Sequence, residues 1–336
     1  MDFSKYTDEI EQELKSIIGT SSSEFYRMMR YHLGWVDESD NPQNGNTGKL
    51  LRPKLCLIAC EAVGGNWQKA LPSAAVLELV HNFSLVHDDI EDQSDYRRHR
   101  RTVWSIWGQA QAINLGDGMY SLGRLALLRL SNEGFEPQKI LDVIKLLDQA
   151  CVRLCEGQHL DMCFESSYDI TINQYLEMIG KKTANLISCA LKMGAILGTD
   201  DEIVATGLEQ FGWKLGVAFQ IQDDILGIWG KEDKTGKSMS DIAQRKKSLP
   251  IIYGLMSDDG KCAELIRNVY DKETIDRDAI VKVTEALDEI KARNYCQKLA
   301  YDYYDNALQI INKLEIDREA RQELIEIADF FVKRDF

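Results

Sequence analysis

Asp88, Asp89 and Asp92 close a long apolar stretch, in the order Asp-Asp-Ile-Glu-Asp over residues 88–92. Residues four apart on a helix are offset by only about 40°, so Asp88 and Asp92 share a face. Two carboxylates held that way repel each other unless a cation lies between them, and an all-oxygen site completed by water suits Mg²⁺. The plain alternative is a solvated acidic helix end. However, the C-terminal end of a helix dipole disfavours negative charge, and this is where these carboxylates accumulate. A second acidic pair, Asp223-Asp224, lies within Phe219-Gln220-Ile221-Gln222-Asp223-Asp224-Ile225-Leu226. Charge set among apolar positions needs partners, and two acidic clusters facing each other across Mg²⁺ could hold a diphosphate.

Cationic groups follow both clusters. Arg97-Arg98-His99-Arg100-Arg101 comes just after the first, and Lys237, Arg245, Lys246 and Lys247 come after the second. The chain carries a formal net charge of −14, so a basic run is a local feature rather than part of a basic face. Arginine forks match phosphate oxygens, which makes a phosphate clamp the chemical reading; a loop that merely balances nearby acids is the plain one. Gly48-Lys49-Leu50-Leu51-Arg52-Pro53 adds a basic pair at a helix start, a second anion site. Acidic pairs, separated cations and long apolar segments together suit phosphate-bearing substrates with apolar tails.

The elements that position these groups read as helices. Apolar residues recur at spacings of three and four, as in Leu299, Tyr303, Ala307, Ile310, Ile311 and Leu314, and again from Ile316 to Phe331. Long helices are expected near 3–18, 22–35, 51–64, 70–92, 102–130, 137–166, 172–197, 201–229, 246–257 and 260–271, with another from about 276. Each of the five prolines stands at or near the start of such a segment. No segment alternates with a period of two. With no linker, repeat or low-complexity tract, the expectation is a single all-α domain over residues 1–336.

The acidic balance argues against nucleic acid as a partner. The N-terminus lacks the basic start and apolar core of a signal peptide, and no apolar run is long enough for a membrane span. A cytoplasmic protein without stable membrane insertion is expected. The eight cysteines show no CxxC spacing and read as reduced residues in or near the core.

The ordered motifs resemble the trans-isoprenyl diphosphate synthases, which include farnesyl and geranylgeranyl diphosphate synthases. The resemblance runs from about residue 45 onward. It rests on GKLLRP (48–53), SLVHDDIED (84–92), the double arginine, Glu156-Gly157-Gln158 with Asp161, Lys182-Thr183, FQIQDD (219–224), and Lys246 with the nearby SLP. It implies a bundle of long antiparallel helices around a deep central cavity, usually in a homodimer. It implies that Asp88, Asp92 and Asp223 hold Mg²⁺, three ions per active site once diphosphate is bound, with Asp89 and Asp224 in support. Arg97, Lys182, Thr183, Gln220, Lys237 and Lys246 would contact the allylic diphosphate or its metals, and Lys49, Arg52, His81 and Arg98 would hold isopentenyl diphosphate. The implied reaction is departure of the diphosphate, attack on the allylic cation by the isopentenyl double bond, and loss of a proton to the released diphosphate.

The chain departs from the family pattern in three places. Gly227 stands where the second acidic motif ends in a third Asp. His99 and Arg101 replace the usual glycine and proline. The loop from Lys237 to Asp241 is one residue short.

Phe83, five residues before Asp88 and roughly 7.5 Å along the helix, resembles the floor of a C20 synthase, with the small Ser84 beside it. C15 synthases look alike, and a core role for Phe83 is the plain reading. Glu78-Leu79-Val80-His81 and Glu156-Gly157-Gln158-His159 also match the ExxH pairs of di-iron bundles, but that reading leaves the arginine run and both Asp pairs unexplained. A terpene cyclase would have no use for Lys49, Arg52, His81 and Arg98. A non-catalytic partner subunit is favoured by Gly227 alone.

Overall fold

A computed structural model of the chain describes residues 4–43, 48–230, 241–257 and 260–333. The all-α expectation holds: helices account for nearly all the regular structure, and one hairpin of two-residue strands is the only sheet among the described residues. Two compact units emerge. One comprises Met1–Asp148, Ala190–Thr206 and Glu315–Ala320; the other comprises Gln149–Cys189, Gly207–Leu314 and Arg321–Phe336.

In the first unit, α1 (Ser4–Ile18) turns Tyr6, Ile10, Leu14 and Ile18 inward at a spacing of four. Then follow α2 (Glu24–His32), α3 (Leu51–Ala62) and α4 (Leu71–Glu91), the last starting with Pro72 in its first turn, where no backbone N–H is lost. Ala74, Ala75, Val76, Leu77, Leu79 and Val80 are all fully buried, so α4 is surrounded rather than one-faced. Gly108, at φ 88°, divides the single helix expected over 102–130 into α5 (Val103–Trp107) and α6 (Gln109–Leu127). Helix α6 approaches α4 closely because it presents glycines. A Cβ on Gly123 would lie 2.7 Å from Val76 Cγ2, and one on Gly116 would strike the ring of His87. The first part of α7 (Pro137–Glu165), to Asp148, completes this stretch.

The arginine run, expected as a loop, forms the hairpin β1 (Tyr96–Arg97) and β2 (Arg100–Arg101), with Arg97 opposite Arg100. Arg98 and His99 make the turn at φ 50° and 63°. Two positive φ values match the twist of a two-residue hairpin. The run is short and uniformly basic, so no alternation betrays it.

In the second unit, the rest of α7 is followed by α8 (Ile172–Ile179), started by a capping box between Thr171 and Gln174. The helix expected to run on to 197 instead widens into a π-helical turn over Gly180–Ala184 before α9 (Asn185–Gly198), whose residues from Ala190 belong to the first unit. Glycines on both flanks make room for it: a Cβ on Gly157 would lie 2.8 Å from Lys182 Cα, and one on Gly216 2.5 Å from Ala184 Cα. The latter glycine belongs to α10 (Glu202–Trp229), which lies in this unit from Gly207 onward. After it come α11 (Leu249–Leu255), α12 (Lys261–Tyr270), α13 (Arg277–Glu289), α14 (Ala292–Ile311) and α15 (Arg318–Val332). Tyr175, Met178, Ile179, Val217, Ile221, Ile225, Leu249 and Ile252 pack into one apolar cluster here.

No disulfide forms among the described residues; six cysteines are buried and Cys155 and Cys163 are exposed. Among the described residues no helix is long and apolar enough to cross a membrane.

Candidate functional site

The first acidic cluster ends α4. Asp92 caps it, its N–H donating to Asp88 O at 2.8 Å. Asp88 is half-buried and Asp92 exposed. Asp89 is turned inward at 2% exposure, and Arg97 Nε donates to its Oδ1 at 2.7 Å. Burial pushes the Asp89 carboxyl up to about 6, against the pull of Arg97. The hairpin that presents Arg97 is locked to the helix end. Ser94 N–H donates to Asp89 O at 2.9 Å, and Thr102 Oγ1 and Trp104 Nε1 both donate to Ser94 O at 2.8 Å.

The second anion site also gathers in this unit. Gly48 (φ 81°) and Leu50 (φ 47°) bend the chain into α3, which leaves Lys49 exposed on the bend and Arg52 in the first helical turn. A Cβ on Gly48 would lie 3.1 Å from Arg98 Nη1, so only glycine admits that guanidinium comfortably. Arg52 and Arg98 act electrostatically on both His81 and Glu78. Loss of hydration, then these arginines, hold His81 well below its usual range. Burial raises the Glu78 carboxyl, while Asn82 and the arginines lower it. Of the four residues expected from sequence to share a role, Arg52, His81 and Arg98 are thus brought together around a buried counter-charge, while Lys49 stands exposed on the bend before α3.

Three neighbours were not among the expected residues. Asn82 Nδ2 donates to Glu78 Oε1 at 2.8 Å. His32, from α2, reaches the same surroundings, and lost hydration with Arg97 and Arg98 nearby depresses it to about 3. A cleft lined by Tyr31, His32, Asn82, Asp89, Arg97 and Arg98 opens between them. Only Glu78 carried a sequence signal, as a charge inside an apolar helix. Arg100 and Arg101, read from sequence only as members of a cationic run, fasten the hairpin. Arg100 donates to Val36 O at 2.7 Å and stacks 4.2 Å over the Tyr31 ring, and Tyr31 Oη donates to Arg101 O at 2.8 Å.

Phe83 is 9% exposed. Its ring meets His87 and Tyr120 edge-on, at 5.7 and 5.4 Å between centroids. Tyr120 Oη in turn donates to Asp148 at 3.1 Å. Ser84 Oγ donates to His81 O at 2.8 Å, so its hydroxyl serves the helix backbone.

In the second unit, Lys182 Nζ contacts Asp161 Oδ2 at 2.7 Å, and Thr183 Oγ1 donates to Gln220 Oε1 at 2.9 Å. The π-helical turn carries both residues, and wide turns of this kind often mark functional sites. Gln220 Nε2 donates to Asp224 Oδ1 at 3.1 Å, and Leu249 N–H donates to Asp224 Oδ2 at 2.8 Å. Tyr175 Oη also donates to Asp224 Oδ2. Asp224 is thereby a buried, multiply bonded anchor, and desolvation, then Asp241, pushes it up to about 7. Asp223 beside it is half-buried. Tyr175 was not anticipated; a tyrosine in an apolar helix gives no sign of its partner.

The cations after α10 divide. Arg245 donates to the carbonyls of Tyr270 and Glu273, at 3.1 and 2.8 Å, and to that of Lys272. Lys247 lies over the rings of Tyr168 and Tyr270, at 4.1 and 4.8 Å. Lys246 stands exposed. Lys237 lies outside the described residues.

Among the described residues no three His, Cys, Asp or Glu side chains converge closely enough to hold a metal ion by themselves. Mg²⁺ needs no such cage, since it keeps several waters and takes one or two carboxylates together with substrate phosphates. The outward carboxylates Asp88 and Asp92, with Asp223 apart from them in sequence, fit that hard-oxygen chemistry.

A family model described as Polyprenyl synthetase matches residues 37–287 of the chain. The chain is 35% identical to (2E,6E)-farnesyl diphosphate synthase of Mycobacterium tuberculosis, over 91% of this chain and 85% of that protein. It is 34% identical to geranylgeranyl diphosphate synthase of Methanosarcina mazei, over 99% and 96%. The crystal structure of a polyprenyl synthetase from Streptomyces coelicolor superposes with a TM-score of 0.91 at 33% identity, covering 98% of both chains.

Proposed function

The chain belongs to the polyprenyl synthetase family and shares its transferase class, and from that premise we propose that it condenses an allylic diphosphate with isopentenyl diphosphate to give geranylgeranyl diphosphate. The observation that carries this reading is the division of labour in the first cluster: Asp89 is turned onto Arg97, and Asp88 and Asp92 are left outward at the helix end.

Asp88, Asp92 and Asp223 would hold Mg²⁺, which when bound offsets negative charge on the departing diphosphate. Arg97, Lys182, Thr183, Gln220 and Lys246, with Lys237, would bind the allylic diphosphate. They stabilise the charge it gains, because donors already in place cost no reorganisation. Lys49, Arg52, His81 and Arg98 would bind isopentenyl diphosphate and orient its double bond toward the cation. Neutral His81 can donate from one ring nitrogen while adding no charge to an already cationic cluster. The released diphosphate takes the proton. One catalytic domain and a homodimer complete the reading. Ile113, Leu125, Leu128 and Leu141 are exposed apolar residues that a second copy would cover.

Support for a C20 product comes from Phe83, its ring braced by His87 and Tyr120. The test is incubation with dimethylallyl diphosphate, isopentenyl diphosphate and Mg²⁺, followed by sizing of the dephosphorylated products. A linear C20 alcohol supports the proposal, a C15 alcohol moves it to the farnesyl reading, and a cyclic product overturns it. Phe83→Ala is expected to lengthen the product; an unchanged length would remove Phe83 as the floor.

A further inference from the structure

Position 227 follows Asp223 by four residues, the same spacing that places Asp88 and Asp92 on one face of α4, but it is glycine. A side chain there would have no room. A Cβ built on Gly227 would lie 2.5 Å from Asp241 Cγ and 2.9 Å from Asp241 Oδ1, well inside van der Waals contact. The Asp241 carboxylate therefore occupies the space in which the side chain of residue 227 would begin. It is fixed there by backbone. Asp241 N–H donates to Gly227 O at 3.0 Å, and Lys246 N–H donates to Asp241 O at 3.0 Å. The carboxylate in this position therefore requires a residue without a side chain at 227.

Resting on the reading above, we propose that Asp241 is the second metal-facing carboxylate of the second acidic cluster, standing in for the side chain that position 227 lacks. Asp224 is committed elsewhere: it is buried, and Tyr175, Gln220 and Leu249 N–H all donate to its oxygens. Asp223 and Asp241 then form, across the fold, the pair that Asp88 and Asp92 form within one helix. On this account Gly227 is a clearance for Asp241 rather than a lost ligand.

The test is calorimetric titration of the full chain with inorganic diphosphate, with and without Mg²⁺. Asp241→Asn keeps the shape and removes the charge. It is expected to weaken Mg²⁺-dependent binding at least about tenfold and to leave binding without Mg²⁺ unchanged. Gly227→Asp alone should lower the melting temperature, because two carboxylates then contest one space. The double variant Gly227→Asp/Asp241→Gly should recover both the melting temperature and the Mg²⁺-dependent affinity. Wild-type affinity in Asp241→Asn overturns the proposal, as does an equal loss with and without Mg²⁺, which marks a structural role. If Asp241→Asn does not fold, the double variant decides: tight Mg²⁺-dependent binding supports the proposal and weak binding overturns it. Asp88→Ala is the reference. If it loses Mg²⁺-dependent binding while Asp241→Asn does not, only this inference falls; if neither loses it, the metal-binding reading of both clusters falls too.

Discussion

The two acidic clusters use the same pair of residues in the same way and complete it differently. In each, the second Asp is buried: Asp89 on Arg97, Asp224 on Tyr175, Gln220 and the backbone of Leu249. In each, the first Asp stays half-buried. Adjacent helical residues differ by about 100° in direction, so a doublet sends one carboxylate inward as an anchor and leaves the other for chemistry. The clusters part at the fourth residue on. Asp92 comes from the same helix as Asp88, while position 227 is glycine beside Asp241. A site at a helix end can be written in one local motif. A site on a helix continuing past it, beside a second chain segment, can draw a group from elsewhere.

The strongest way to break this comparison is to remove an outward carboxylate. Asp88→Ala is expected to lower turnover by at least about 10³-fold, since metal stabilisation of developing charge is worth several kcal/mol. A steady-state assay with Mg²⁺ that returned near-normal rates would end the assignment of Asp88 to metal.

The inward carboxylates should behave otherwise, and unequally. Asp224→Ala leaves a buried N–H and two side-chain donors unmet, so it is expected to cost about 3 kcal/mol of stability in urea unfolding. Asp89→Ala should cost less, about 1–2 kcal/mol, because Arg97 can turn to solvent. Equal losses would show that the number of donors does not matter.

A third prediction concerns pH. His32 is held neutral in the fold, at about 3 against an ordinary 6.5, and His81 is shifted the same way. Between those values the unfolded chain binds more protons than the folded one, so stability rises with pH. It is lost as pH falls from about 6.5 toward the folded value, by about 1.4 kcal/mol per unit for each histidine. His32→Gln should flatten the acid limb of a melting-temperature profile; an unchanged limb would free His32 of this role. The smallest effect is expected from Tyr175→Phe, which removes one of the donors to Asp224 and should cost about 1 kcal/mol in the same urea experiment. A cost as large as that of Asp224→Ala would mean that Tyr175 alone anchors the carboxylate.

Much of this was legible in advance. The apolar spacing gave nearly every helix, because a helix buries whichever face repeats every 3.6 residues. Gly108 and the π-helical turn at 180–184 were not read. The π-helical turn depends on what packs beside it, Gly157 and Gly216, whereas Gly108 breaks the helix through its own backbone, at φ 88° in open space, and a lone glycine does not by itself mark a break. The hairpin at 96–101 escaped because two-residue strands are too short to show a period. Among the site residues, Lys182, Thr183 and Gln220 were named from motifs, and the fold brings Thr183 to Gln220 and Lys182 to Asp161. Tyr175, His32 and Asn82 were not named. They are ordinary helical residues until a distant partner arrives.

What the sequence determined by itself is what a single helix determines: that Asp88 and Asp92 share a face, that α4 is apolar almost all round, and that basic groups follow each acidic pair. Tertiary structure alone decided which charges are spent on the fold. Arg245 was drawn to carbonyls, Lys247 to aromatic rings, Asp224 to Tyr175, and Asp241 to the gap at Gly227. The reason is physical. Helical offset is a property of local bonds, whereas the cost of burying a charge, and the partner that offsets it, exist only once remote segments have come together.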